Sequence, residues 1–219
     1  LFYPNLCWVC EEVMHQPGEG ICPNCSLTLP YTKFHDDLEN IVAKVFWGRV
    51  PLMGATTLLY FNKMSRVQRL IHKLKYNGKP EVGVVMGEIL GKQLTNSKVF
   101  KPIDTVIPVP LHPAKKRKRG YNQAAAIAEG VAKAMEIDWF KDGMLRTKHT
   151  STQTRKTRAE RVKNMEGVFK PNQNIDLTGK KVLLVDDVLT TGSTLESCAL
   201  ELLQVPDIQL WIATLAYAE

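Results

Sequence analysis

The chain of 219 residues has room for one substantial domain and a small appendage, and its 44% hydrophobic content is that of an ordinary soluble globule. No apolar run approaches the roughly 20 residues of a membrane-spanning helix, and the first residues lack a secretion signal's charged and apolar regions, so a cytoplasmic location is expected. The net charge of +7 is unevenly spread: residues 101–163 carry 15 basic and 6 acidic side chains, and residues 164–219 carry 3 and 8. Such a basic concentration is either a solvated face or a site for a polyanion.

Four cysteines come first, as Cys7-x-x-Cys10 and Cys22-Pro-Asn-Cys25. Two paired thiolates eleven residues apart can close a tetrahedral zinc site, with Pro17, Gly18 and Gly20 supplying the turn between them. Disulfides are disfavoured in a reducing cytosol. Four thiolates fill the coordination sphere, so this zinc is expected to be structural, in a head over residues 1–34. His15 is read as a solvated loop residue. Phe2, Tyr3 and Trp8 either complete the small core around the knuckle or form an exposed anchor. The remaining cysteine, Cys198, reads as a small core residue.

From residue 35 the pattern alternates strands and helices, which indicates a parallel α/β sheet. Asp36–Val42 opens a short helix with carboxylates near its positive end, and residues 52–61 form a strand. A helix over 64–75 has Val67, Leu70, Ile71 and Leu74 on one stripe and Arg66, Arg69 and Lys73 opposite. Asn77-Gly78 ends it, and Pro80 starts another helix running to about Leu94. Asp104–Pro110 is a buried strand stopped by its prolines, and a helix runs from Asn122 to Met135. The polar stretch from Leu145 to Lys170 carries at most a weak helix around Arg158–Asn164. The finish is strand Lys181–Val185, helix Ser193–Leu203 and strand Gln209–Tyr217.

The most informative run is Val182-Leu-Leu-Val-Asp-Asp-Val-Leu-Thr-Thr-Gly-Ser-Thr194. Apolar residues suit a strand buried on both faces. Asp186 and Asp187 stand at its carboxyl end, where ligands of parallel sheets bind. Small residues around Gly192 leave backbone N–H groups free to surround a phosphate, with hydroxyls adding donors. Acids for hydroxyls or a metal beside a phosphate cradle describe a site for a phosphorylated sugar, and the run resembles the PRPP-binding loop of type I phosphoribosyltransferases (PRPP being phosphoribosyl pyrophosphate).

The four-cysteine head, Leu74-Lys-Tyr-Asn-Gly78, Val106-Ile-Pro-Val-Pro-Leu-His112, Lys118-Arg-Gly-Tyr-Asn-Gln123, Gln153-Thr154, Arg158, Arg161, Asn164 and Phe169 together resemble the ComF family of competence-associated, phosphoribosyltransferase-like proteins. The resemblance implies a type I phosphoribosyltransferase-like parallel sheet flanked by helices over residues 35–219, with a zinc knuckle ahead of it. It implies PRPP binding with magnesium and a connection with natural transformation. Carried over residue by residue, Asp186 and Asp187 would hold the ribose hydroxyls, directly or through the metal. Thr190, Thr191, Gly192, Ser193 and Thr194 would hold the 5′-phosphate. The pyrophosphate would sit after Pro110 near His112, Lys115 or a residue from Arg117 to Arg119. A loop within Met144–Lys156, part of a basic mobile segment over about 111–163, would close over the site. Thr190 stands where transferases for 6-oxopurines carry an acid, which speaks against hypoxanthine or guanine as acceptor.

Two kinds of function stay open. One is transfer of the phosphoribosyl group to an unidentified acceptor. The other is a non-catalytic PRPP sensor and single-stranded DNA-binding module, in which Lys115-Lys-Arg-Lys-Arg119 follows the backbone and Tyr121 stacks on a base. The same five cations also suit the pyrophosphate pocket. A third role, docking onto a competence helicase or uptake protein through the zinc head, would use the aromatic residues beside the cysteines.

Overall fold

The computed structural model describes residues 5–14, 20–62, 65–76, 78–147 and 167–218. Phe2, Tyr3, His15, the weak helix around Arg158–Asn164 and the part of the expected closing loop beyond Thr147 lie outside them.

Five strands form one parallel sheet: β1 (Gly54–Phe61), β2 (Thr105–Pro108), β3 (Asp138–Trp139), β6 (Lys181–Leu189) and β7 (Gln209–Ala218), in the spatial order β1-β7-β6-β2-β3. A separate antiparallel pair joins β4 (Met144–Arg146) to β5 (Phe169–Pro171). The helices are α1 (Pro23–Thr28), α2 (Ile41–Lys44), α3 (Arg66–Tyr76), α4 (Pro80–Asn96), α5 (Pro113–Arg119), α6 (Gln123–Met135) and α7 (Ser193–Leu202). Among the described residues no helix is long and apolar enough to cross a membrane.

The central strand explains the layering. Side chains alternate across a strand, and on β6 Leu183 and Val185 enter one core while Val182 and Leu184 enter the other. The first core packs α3, α4, α6 and the cysteine head against the sheet. The second packs α2, α7 and the β4–β5 pair against the opposite face. Helices α4 and α6 approach to backbone contact: a Cβ on Gly87 would lie 2.2 Å from the Ile127 carbonyl, and one on Gly130 would lie 2.0 Å from that of Val84.

The structure differs from the sequence expectation at α2, β3, β4, β5 and β6. The acids Asp36 and Asp37 do not open a helix. They sit in or beside a 3-10 turn (Phe34–Asp36), and Asn40 caps α2 instead, accepting from the Val42 and Ala43 N–H groups at 2.9 and 3.0 Å. Its amide also donates to the Ala55 carbonyl at 2.8 Å, which anchors the cap to β1. The β4–β5 pair and the short β3 carry too few residues for periodicity to reveal them. Finally, β6 does not stop at Val185 but runs through the acids to Leu189, because β7 continues to pair with it (Asp186 with Thr214, Val188 with Ala216).

That extension creates the crevice. The neighbour on the other side, β2, ends with Pro108 opposite Val185, so Asp186–Leu189 project past it. The chain after β2 returns through α6 on one face of the sheet, and the chain after β6 returns through α7 on the other. Connections that part to opposite faces leave a cleft at the carboxyl ends of the two strands, the usual ligand position in an open α/β sheet.

Candidate phosphoribosyl and metal sites

At the cleft, Gly192 caps α7 in the left-handed conformation (φ 77°) with no side-chain hydrogen bond to the first turn. A Cβ there would lie 2.9 Å from Val45 Cγ1 and 3.2 Å from the Phe46 ring. Glycine is therefore required both by its torsion and by the close approach of the segment after α2. Asp186, Thr190, Thr191, Gly192, Ser193 and Thr194 line a small open cavity together with Val188, Leu189 and Leu195. The hydroxyls of Thr191 and Ser193 are 3.0 Å apart. A turn of small hydroxylated residues at the start of a helix is a suitable cradle for a phosphate. Arg49 reinforces it from below, its guanidinium 2.6 Å from the buried carboxylate of Glu196 in the first turn of α7.

The two acids have different surroundings. The Asp186 carboxylate accepts the Asp187 N–H at 2.8 Å. Burial pushes the Asp186 carboxyl up to about 7, with the neighbouring Asp187 charge adding to it; the Asp187 N–H, Lys75 and Lys115 pull the other way. Asp187 forms an ion pair with Lys75 Nζ at 3.1 Å, both side chains being largely buried. Lys75 belongs to the Leu74–Gly78 motif, and its role is hidden in the sequence because α3 is far from Asp187 along the chain. This lysine supplies a countercharge to Asp187, whose side chain leaves β6 toward the α3 face while that of Asp186 turns to the other.

The segment after Pro110 borders the same cleft. Val109 N–H donates to the Val185 carbonyl at 2.8 Å, and the Asn122 amide donates to the Val109 carbonyl at 3.0 Å. His112 caps α5 through Nδ1, which accepts from the Ala114 N–H at 3.1 Å. Lys115 is exposed and close enough to stabilise the charge of Asp186. Arg119 instead turns to Gln123, donating to its Oε1 at 2.8 Å, and lies over the Tyr76 ring at 5.7 Å. Tyr121 is turned inward, its ring packed on the core and its hydroxyl donated to the Leu74 carbonyl. The aromatic left exposed beside the cations is therefore Tyr76. Cys198 is fully buried in the second core, and burial pushes its thiol well above the usual value, consistent with an inert packing residue.

The cysteine head fits a metal. The Sγ atoms of Cys7, Cys10, Cys22 and Cys25 lie within 4.8 Å of one another, Cys10 and Cys22 at 3.8 Å. A tetrahedron with Zn–S near ~2.3 Å places sulfurs about 3.8 Å apart. Backbone N–H groups point at the sulfurs, from Val9 (3.4 Å) and Cys22 (3.3 Å) to Cys7 and from Cys25 (3.4 Å) to Cys22. Burial opposes ionisation of Cys7, but the N–H groups of Cys22, Cys10 and Val9 outweigh it and bring its thiol down to about 6. Burial pushes Cys25 up, reinforced by Cys22 and Cys10. Four sulfurs converging at these distances are a donor set that suits a cation of the zinc type. Trp8 lies against Gly20, where an added Cβ would meet the indole at 2.1 Å, so this aromatic serves the head's own packing.

The head is joined to the body. Cys7, Val9, Cys25 and Leu29 share the first core with α3 and β1. Tyr31 bridges to Leu59, and Thr32 N–H donates to the Leu58 carbonyl at 3.1 Å, covering the β1 edge. On α3, Lys73 Nζ reaches Glu11 Oε1 at 2.8 Å and Arg66 reaches the Thr28 hydroxyl at 3.0 Å.

Residues 83–216 match the family model described as phosphoribosyl transferase domain. The DNA utilization protein YhgH of Shigella flexneri is 27% identical over 96% of this chain and 97% of its own. Competence protein F of Haemophilus influenzae is 28% identical over 96% of each chain. Competence protein ComFC of Streptococcus pneumoniae is 26% identical, over 87% of this chain and 77% of its own. At 96% of the chain, the similarity to YhgH and competence protein F takes in the head as well as the cleft.

Proposed function

The chain belongs to the phosphoribosyl transferase domain family, and from that premise we propose that its Asp186–Thr194 loop binds PRPP with magnesium in the service of DNA uptake or use. The observation that carries the reading is the Asp186 carboxylate, on the projecting end of β6, in one cavity with the hydroxyl-lined cradle at the start of α7; Asp187 follows it, paired with Lys75. Asp186 and Asp187 take the ribose hydroxyls, directly or through the cation. The N–H groups and hydroxyls of 190–194 take the 5′-phosphate. His112 and Lys115 border the place of the pyrophosphate, while Arg119 is turned to Gln123. Bound magnesium would neutralise the charge that builds on departing pyrophosphate; the residues present suit it, since this cation takes one or two carboxylates and fills its shell with phosphate oxygens and water. The names of the relatives, competence proteins and DNA utilization proteins, support the biological setting. The thiol set suits zinc in a reducing, cytoplasmic compartment, in a head over residues 1–34 that precedes the transferase-like body.

Thermal melting with PRPP and magnesium tests the reading. Wild type should gain several degrees at millimolar PRPP, and the Asp186→Asn, Asp187→Asn double variant should gain none. An unshifted wild type would rule the pocket out. Transfer is then decided by pyrophosphate release from PRPP across a panel of bases and amines.

A second reading, single-stranded DNA binding, is favoured by α5: Lys115, Lys116, Arg117 and Lys118 are all exposed beside the cleft. Cations in a row bind a phosphate backbone with strong salt dependence. Replacing those four residues by alanine should weaken binding of an oligonucleotide and flatten its salt slope. Docking of an uptake protein on the head is part of the same proposal, with Trp8 engaged in the head's own packing.

A further inference from the structure

Tyr76 ends α3 one residue after Lys75, whose ammonium holds Asp187. The ring is more than half open to solvent, with 55% of the residue exposed, although the core is adjacent through Leu74 and Tyr121. It is also held in place. Arg119 lies over the ring at 5.7 Å, itself tethered by its 2.8 Å hydrogen bond to the buried Gln123. His72, one turn earlier on α3, stands 4.7 Å from it with the planes tilted by 40°. Arg119 is the last residue of α5, so the ring adjoins the exposed run Lys115–Lys118.

We propose that Tyr76, backed by Arg119, is the platform on which a base of a single-stranded nucleic acid stacks while its phosphates follow the cations of α5. The inference rests on the DNA-binding reading of α5 and adds to it the base subsite. The occupant is argued from charge and shape together. Four exposed cations in a row suit a polyanion, and an oriented aromatic beside them suits a flat partner. A nucleic-acid strand presents both, at the spacing of successive nucleotides. Duplex DNA keeps its bases stacked on one another and offers nothing to an exposed ring, so the strand is single. Since Lys75 connects the platform to Asp187, the stacked base would lie at the mouth of the sugar-phosphate cleft rather than on a remote surface.

The test compares a thymidine oligonucleotide of roughly a dozen nucleotides, within the site sizes usual for such proteins, with an abasic strand of the same length. Binding is measured for wild type, Tyr76→Leu and Tyr76→Phe, each checked for an unchanged melting temperature. Loss of one stacked base predicts roughly a 5- to 150-fold weaker thymidine complex for Tyr76→Leu, with no change for the abasic strand and with an unaltered salt slope. Tyr76→Phe should bind as wild type. Equal binding of thymidine and abasic strands by wild type would overturn the platform while leaving the backbone reading of α5 intact. Full binding by Tyr76→Leu would do the same. If wild type binds neither strand at low salt yet still melts higher with PRPP, the platform and the strand reading fall together and the PRPP pocket stands.

Discussion

Lys75 Nζ stands 3.1 Å from Asp187 Oδ2, so a helix that precedes the transferase-like segment supplies the cation that faces its paired carboxylates. The same ammonium also holds down the Asp186 carboxyl, which burial and Asp187 otherwise drive up. This side chain thus works with the Asp187 N–H and Lys115 to favour the ionised form of Asp186.

Replacing Lys75 by alanine should therefore raise the Asp186 carboxyl further and weaken PRPP binding by roughly tenfold or more, the usual weight of a charge-assisted contact. Lys75→Arg should keep most of the affinity. Calorimetric titration of the two variants with PRPP and magnesium checks this, and equal affinities for Lys75→Ala and wild type would contradict it.

Asp186 also imposes a stability–function conflict. Its carboxyl is raised from the ordinary 3.8 to about 7, so the folded state holds its proton more tightly than the unfolded chain does. The contribution to stability is present below the lower value and is lost as pH rises through the higher one. Asp186→Asn should therefore melt like wild type near pH 4, and above it by several degrees at pH 8, while losing its response to PRPP. Parallel melting curves from pH 4 to 8 without ligand are the measurement. A variant that is less stable at pH 8 would show that the acid is held by contacts rather than strained by burial.

Metal analysis should find one zinc per chain. Because the thiol cluster shares a core with α3 and β1, a strong chelator should lower the melting temperature of the whole protein rather than release a separate transition. A loss of about 3 kcal/mol would appear as roughly 6–12 °C. Two resolved transitions in calorimetry would argue against the shared core.

Gly192→Ala should lower stability by about 1–3 kcal/mol, from the left-handed torsion and the contact with Val45. It should also abolish the thermal shift with PRPP, because the cradle can relax only by moving the start of α7. Retained ligand response with reduced stability would place the 5′-phosphate elsewhere.

What the sequence made legible was local. The cysteine pairs and the run from Val182 to Thr194 hold their chemistry within a few residues, and the structure gathers each into one place. What it concealed depends on contacts between distant segments. Asp186 looks like the first residue after a strand until Thr214 is known to pair with it. Tyr121 follows five cations and reads as a stacking residue, yet its hydroxyl reaches the Leu74 carbonyl across the fold. Tyr76 and Lys75 lie in an amphipathic helix whose period describes only its buried side. Asn40 is concealed as a cap because the acids before it satisfy the same rule for a helix start.

Helix α3 has one more consequence. Lys73 and Lys75 sit two residues apart, about 200° around the helix axis, and so grip opposite neighbours: Glu11 in the thiol knuckle and Asp187 in the cleft. An eleven-residue helix fastened at both places acts as a strut. Thermodynamic reciprocity then requires that whatever zinc does for PRPP, PRPP does equally for zinc. With zinc in the knuckle and PRPP in the cleft, as proposed above, chelator competition with and without PRPP would read the coupling that this strut carries.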